Sequence, residues 1–158
     1  MSAKRRKAGN QNLATNRRAK FDYELLDRFE AGIVLTGTEI KSARNHGVNL
    51  QRSFVIPRNG ELWLIEAHIS PYDNAGYEKH EPTRPRKLLL HRREIEKIIE
   101  ALTTRGLTMV PTKMYLKGGW AKVEVALARG KKKYDKRADL AKRDAKRQVE
   151  RALREKYR

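Results

Sequence analysis

The chain has 158 residues and a formal net charge of +18, with 37 Lys and Arg against 19 Asp and Glu, and it has no cysteine. This length suits one domain plus tails, and the missing cysteine excludes disulfides, thiolate nucleophiles and Cys-type zinc sites. No apolar run approaches a membrane span or a signal peptide, so the chain reads as cytoplasmic.

The charge lies at the two ends. Residues 1–20 hold seven Lys/Arg and no acid, residues 21–129 hold 17 basic and 14 acidic residues, and residues 130–158 hold 13 basic and 5 acidic residues. A nearly neutral body with two basic arms favours polyanions, through phosphate neutralisation and counterion release. The arms lack the Leu/Phe/Trp face of an interfacial membrane helix. A single charge run can be a mere solvated end, but two such ends on one small body point to a polyanionic partner.

In chain order, residues 1–15 are polar, basic and aperiodic, and are expected to be a disordered tail, with order beginning near Asn16. Phe21 to Leu35 alternates with period two, with a slip near Leu26-Asp27, and predicts a long strand with a bulge. Thr36-Gly37-Thr38-Glu39 is a capping box opening a short helix. Gly47 is expected to close that helix in the left-handed conformation. Ser53 to Ile56 and Glu61 to Ile69 predict two strands joined by an Asn59-Gly60 hairpin, the second buried on both sides. Ser70 to Lys87, with three prolines, is a long loop. His91 to Arg105 carries Ile95, Ile98, Ile99 and Leu102 at helical spacing, and Gly106 stops it. Leu107 to Leu116 is strand-like, with Pro111 marking an edge or bulge. Gly118-Gly119 turns the chain into Trp120 to Ala128, where Val123, Val125 and Leu127 point inward and Lys122 and Glu124 outward.

Short antiparallel strands with inserted helices predict a mainly β fold. The economical closure is an OB-fold-like closed barrel over residues 16–129, with about three outer helices and basic tails at both ends. A flat α+β sandwich is the alternative.

The motifs of common catalysts are missing: no GxSxG elbow, Walker loop, GxGxxG or HExxH occurs. The four histidines (46, 68, 80 and 91) lie in separate elements without ligand spacing. Glu30 and Glu39 are the one conceivable carboxylate pair, but Glu39 is more simply a capping residue. No enzyme and no cofactor are expected. Groups for polyanion binding are plentiful. Asn16, Arg17, Arg18 and Lys20 lead into the body, Lys41 and Arg44 lie on the short helix, Arg84, Arg86 and Lys87 close the long loop, and Lys122 faces outward on the last strand. Tyr72, Tyr77 and Trp120 are candidates for stacking on unpaired bases, with packing at an edge or in the core as the plainer reading. The competing classes are a general single-strand binder and an RNA-processing enzyme.

Several ordered motifs carry a resemblance: Asn16-Arg17-Arg18-Ala19, Phe29-Glu30-Ala31-Gly32-Ile33, Gly37-Thr38-Glu39-Ile40-Lys41-Ser42, Asn59-Gly60-Glu61, His68-Ile69-Ser70-Pro71, Arg84 to His91, and Gly130 to Arg137. From about Asn16 to the end the chain resembles the small protein B family, the SsrA-binding or tmRNA-binding proteins. The resemblance implies rescue of bacterial ribosomes stalled on messages without a usable stop codon. It implies an OB-fold barrel that binds the tRNA-like domain of tmRNA in place of a missing anticodon arm. It also implies help in bringing alanyl-tmRNA, with elongation factor Tu, to the empty A site, and no cofactor. In the family, the residues matching Asn16, Glu30, Leu89 and Lys122 are associated with tmRNA binding. Of these, Asn16 and Lys122 were also candidates on residue type alone, while Leu89 rests on the resemblance and Glu30 almost wholly so.

The resemblance assigns the tail, 130–158, to the ribosome. Gly130, Lys131, Lys132, Lys133, Tyr134, Asp135, Lys136 and Arg137 are expected to act in the small-subunit decoding centre, and the tail to enter the vacant mRNA channel as a helix. Tyr134 and Phe21 stand where many relatives have His, which keeps a ring and loses a titratable nitrogen. From Asp139 the tail has only a thin apolar stripe of Ala141, Ala145, Val149, Ala152 and Leu153. It is therefore expected to be disordered when free and helical when surrounded by ribosomal RNA.

Overall fold

The alternating stretch after the first basic segment folds as an 11-residue strand, and the rest of the sheet is arranged around it. The structure, a computed structural model, describes residues 10–72, 79–131 and 133–156; the side chains of 133–136, 138 and 139 fall outside that description. The elements are β1 (Gln11–Thr15), α1 (Arg17–Asp22), β2 (Tyr23–Ile33), α2 (Gly37–Arg44), β3 (Val48–Asn49), β4 (Phe54–Arg58), β5 (Glu61–Ile65), β6 (His68–Ile69), β7 (Arg86–Leu89), α3 (Arg92–Thr103), β8 (Thr108–Lys117), β9 (Trp120–Gly130) and α4 (Lys133–Lys156). Seven strands form one antiparallel sheet in the order β1-β8-β9-β2-β7-β5-β4, and β3 pairs with β6 apart from it.

Several local expectations hold. The slip in β2 is a bulge, where the register against β9 shifts between Leu25 and Arg28. Pro111 also marks a bulge, before Lys113 in the β8–β9 ladder, and not an edge. Asn59 and Gly60 both take positive φ (53° and 73°) and join Arg58 to Glu61 as a two-residue hairpin. Thr36 and Glu39 make the capping box.

Other expectations are corrected. No ladder among the described strands closes the sheet into a barrel. Strand β4 comes against β8, but β8 pairs with β9 on one side and with β1 over Lys113–Leu116 on the other. The β1 ladder takes the Lys113–Leu116 part of that edge, and β4 packs against β8 without a ladder. Residues 11–15, placed in a disordered tail, form β1 on that same edge. Four helices are present among the described residues. The unexpected one, α1, takes Phe21 and Asp22 out of the predicted strand, because Asn16 caps it. The stretch from Glu61 breaks at Glu66, whose φ is +63°. In β5 only Leu62 and Leu64 are buried, so one face is covered. In α2 the left-handed residue is His46 (φ 60°), not Gly47. The His46 amide donates to the Ala43 carbonyl at 3.1 Å and the Gly47 amide to the Ser42 carbonyl at 2.9 Å, the paired bonds of a Schellman ending. Gly47 is needed for space: a Cβ there would stand 2.9 Å from the Ser42 carbonyl oxygen and overlap Ser42 Oγ.

The inner sheet face and the α3 stripe make the main core. Leu62, Leu64, Leu88, Ile98, Met109, Met114, Val123 and Val125 are buried in it. On the other side of the sheet, Ala19 of α1 covers Val110 and Ala128. That second contact explains why β9 is buried on both faces near its end, and it anchors α1 beside the outer face.

Candidate nucleic-acid interface

The outer face of the sheet is assembled by register. Leu89 of β7 pairs with Gly32 of β2, Gly32 with Lys122 of β9, Lys122 with Tyr115 of β8, and Tyr115 with Asn12 of β1. Residues paired in this way share a face. One row across five strands therefore carries an exposed Leu89, a bare Gly32, Lys122, Tyr115 and Asn12. Leu89 is 52% exposed on an otherwise polar face. A Cβ at Gly32 would lie 3.3 Å from the Leu89 Cβ, so the glycine gives Leu89 room on this face.

Glu30 stands two residues before Gly32 and so on the same face. Its carboxylate accepts from the Tyr115 hydroxyl at 2.5 Å and from Lys117 Nζ at 3.3 Å. The Tyr115 hydrogen bond, with help from Lys117 and Lys122, holds the Glu30 pKa below its ordinary value. Burial and the same bond push the Tyr115 phenol up. The pair is therefore a carboxylate and a protonated phenol at neutral pH. Trp120 is 75% exposed beside Lys117, so the plainer packing reading fails for it. Tyr72 is half-buried beneath Lys41, whose Nζ is 5.7 Å from the ring centre. Tyr77 lies outside the described residues.

The remaining predicted cations divide into free and engaged groups. Arg17, Arg18 and Lys20 are exposed on α1, and Lys41 and Arg44 on α2. Arg18 pairs with Asp22 at 3.3 Å. Asn16, by contrast, is 6% exposed. Its Nδ2 donates to the Pro111 carbonyl at 2.8 Å and to the Leu50 carbonyl at 3.3 Å, and its Oδ1 accepts from the Ala19 amide. As an RNA-contact candidate it is corrected: all its side-chain polar atoms are engaged, and it acts by orienting α1. Arg86 is corrected likewise. It is fully buried, its Nε donates to Glu39 Oε2 at 2.5 Å, and its Nη1 donates to the Ala67 carbonyl. Arg84 donates to the other Glu39 oxygen and to the Val34 carbonyl, with a third of its side chain exposed. Lys87 pairs with Glu61 at 2.8 Å. The basic end of the long loop is thus a structural clasp. Nothing local in the sequence marks this clasp, because Glu39 also caps α2 and its partners lie 45 and 47 residues away.

At the arm, Gly130 closes β9 opposite Tyr23. The Lys131 amide donates to the Asp22 carbonyl at 3.0 Å and its Nζ to the Lys20 carbonyl at 2.9 Å, tying the root of the arm to α1. Lys132 and the side chains of Lys133, Tyr134, Asp135 and Lys136 lie outside the described residues. Arg137 is exposed. Helix α4 passes α1 with Arg143 5.9 Å from the Phe21 ring centre. A cleft of about 550 Å³ between α4 and the body is lined by Arg17, Lys20, Arg28, Arg143, Lys146 and Arg147, with Glu124 and Glu150 also on its walls.

The sheet residues that the sequence reading passed over are Arg28, Lys113, Tyr115 and Lys117. A signal existed: Lys113, Tyr115 and Lys117 alternate on one face of β8. The proline at 111 and the bulge after it interrupt that alternation.

A family model described as SmpB protein matches residues 13–155. The chain belongs to the SmpB protein family. Relatives are similar over nearly their whole length. The SsrA-binding protein of Carboxydothermus hydrogenoformans is 54% identical over 92% of this chain and 97% of its own. That of Roseiflexus castenholzii is 55% identical over 92% and 93%. A solved structure described as "tmRNA-SmpB: a journey to the center of the bacterial ribosome" superposes with a TM-score of 0.65 at 46% identity, covering 76% of this chain and 85% of that one. In this member of the SmpB family, three of the four residues carried over by resemblance, Glu30, Leu89 and Lys122, share the outer sheet face. The fourth, Asn16, holds up the helix at its border.

Proposed function

We propose that this chain is a tmRNA-binding protein of trans-translation, which acts on the ribosome and is not an enzyme. The observation that carries this is membership of the SmpB family across residues 13–155, together with an outer sheet face that presents Leu89, Lys122 and Glu30 in one patch. The partner on this face is the tRNA-like domain of tmRNA. The patch, polar apart from Leu89, fits a folded RNA surface, and the cations of α1 flank it for the backbone. The β4–β8 approach supports the OB-type reading of the sheet, with packing in place of a closing ladder.

The division of labour is proposed on the same basis. Residues 16–129 bind tmRNA, helped by elongation factor Tu in delivering alanyl-tmRNA to the A site. Residues 130–158 act in the decoding centre and the empty mRNA channel, starting from Gly130 to Arg137. A ribosomal partner supports a cytoplasmic location.

The test is competition at fixed salt between tmRNA and poly-U for the intact chain, since affinities without a stated salt concentration have no meaning for such a basic protein. The adaptor reading requires a strong preference for tmRNA. Equal affinities would make the chain a general single-strand binder.

A further inference from the structure

The Tyr115–Glu30 pair forms one wall of a pocket of about 400 Å³ on the outer sheet face, lined by Asn10, Asn12, Glu30, Lys113, Tyr115 and Lys117. Its volume falls in the range of small-ligand sites, and its chemistry is specific. The Tyr115 hydroxyl is spent on Glu30 Oε2, and Lys113 Nζ sits 5.5 Å from the ring centre of Tyr115, covering one ring face. The Glu30 carboxylate accepts from Tyr115 on Oε2 and from Lys117 on both oxygens, three contacts against about four lone-pair sites. The pocket therefore offers a positioned, still unsaturated acceptor, with ammonium donors beside it.

We propose that this pocket recognises an unpaired guanine of the bound RNA. Of the four RNA bases, guanine alone presents two adjacent N–H donors, N1–H and N2–H, on its Watson–Crick edge, next to the O6 acceptor. The two donors match the two oxygens of Glu30 once Lys117 Nζ shifts from the carboxylate to O6, while Tyr115 stays on Oε2. Adenine and cytosine bring a ring nitrogen acceptor against the carboxylate, and uracil flanks its single N–H with two carbonyl oxygens; each places a lone pair against a negative charge. Tyr115 is here a positioning residue: it fixes the Glu30 carboxylate so that no ordering cost falls on binding. Trp120, exposed beside Lys117, offers a ring for the neighbouring base. Unpaired bases in loops are what proteins read in RNA. The inference rests on the RNA-binding reading and adds a base identity to it.

The test uses the intact chain and single-stranded RNA heptamers of uridine whose central residue is G, inosine, A, C or U, with affinity measured at one salt concentration. A matched bidentate contact discriminates by roughly tenfold or more. The central-G heptamer is expected to bind at least about tenfold tighter than the A, C and U heptamers, with inosine, which lacks the N2 donors, in between. E30Q should bring the G heptamer down to the U heptamer, and Y115F should reduce the preference without erasing it. Equal binding of all five heptamers, or a G preference that E30Q leaves in place, overturns the proposal. Binding of tmRNA measured beside them separates the two readings. If tmRNA binds tightly while the heptamers are indifferent, the guanine pocket fails and the adaptor function stands. If tmRNA itself does not bind, the adaptor reading fails.

Discussion

Arg86 Nε lies 2.5 Å from Glu39 Oε2, and both side chains are fully buried. Two residues 47 positions apart clasp the start of β7 to the start of α2, with Arg84 on the second carboxylate oxygen. Removing one partner of such a pair leaves an uncompensated buried charge. Glu39→Ala and Arg86→Ala should each cost about 3–5 kcal/mol, read from denaturant unfolding. A phosphate-contacting Arg86 would instead leave the unfolding midpoint unchanged and lower the salt slope of RNA binding by about 1.

The same clasp makes stability acid-sensitive. Burial pushes the Glu39 pKa up, but the hydrogen bonds from Arg84, the Thr36 amide and Arg86 outweigh it, and the net shift is below the ordinary 4.5. The folded state thus binds the proton less readily than the unfolded chain. The contribution is full above about pH 4.5 and is lost as pH falls through the lower folded value. Unfolding measured against pH should show this loss in the native chain, and Glu39→Gln should flatten the profile in that window.

Asn16 and Lys122 were both expected at the RNA, and the fold predicts opposite signatures for them. Asn16→Ala removes a helix cap and leaves the Pro111 and Leu50 carbonyls without its amide, so it should lower stability by roughly 1–3 kcal/mol. Lys122→Ala should leave thermal unfolding within about 0.5 kcal/mol while weakening tmRNA binding. A large loss of stability in Lys122→Ala would make its role structural.

Gly47→Ala should destabilise by about 1–3 kcal/mol, because the new Cβ meets the Ser42 carbonyl as well as its hydroxyl. Adding Ser42→Ala should restore only part of the loss, since the carbonyl remains. Full recovery in the double variant would show that the hydroxyl alone sets the constraint.

Helix α4 has an apolar stripe too thin to hold it by packing, and Leu140, Val149 and Leu153 are about half exposed. Its amides should exchange with solvent far faster than those of β9 in the free chain, and become protected on the ribosome. Slow exchange of α4 in the free chain would show a preformed helix. A chain ending near Ala128 should keep tmRNA binding and lose ribosome rescue.

Much of the local structure was legible in the residues. The period-two runs placed β2 and β9, because alternation is imposed by the pleat. The Asn59-Gly60 turn and the Thr36–Glu39 box were legible because each is closed within four residues. Helix α1 was missed because its first residue looks like a basic surface residue and its cap is held by carbonyls 34 and 95 residues away. The family motifs supplied Leu89 and Glu30, for which the residues alone gave little or no reason.

The sequence by itself determined the class of partner and the local elements: charge density, periodicity and capping are short-range properties. Only the tertiary structure decided which cations are available to that partner. Arg86 and Asn16 turn inward because Glu39 and the Pro111 and Leu50 carbonyls, distant in the chain, satisfy them. Leu89, Gly32, Lys122 and Tyr115 become one surface because strand register, set by burial of the opposite face, lines them up across β7, β2, β9 and β8.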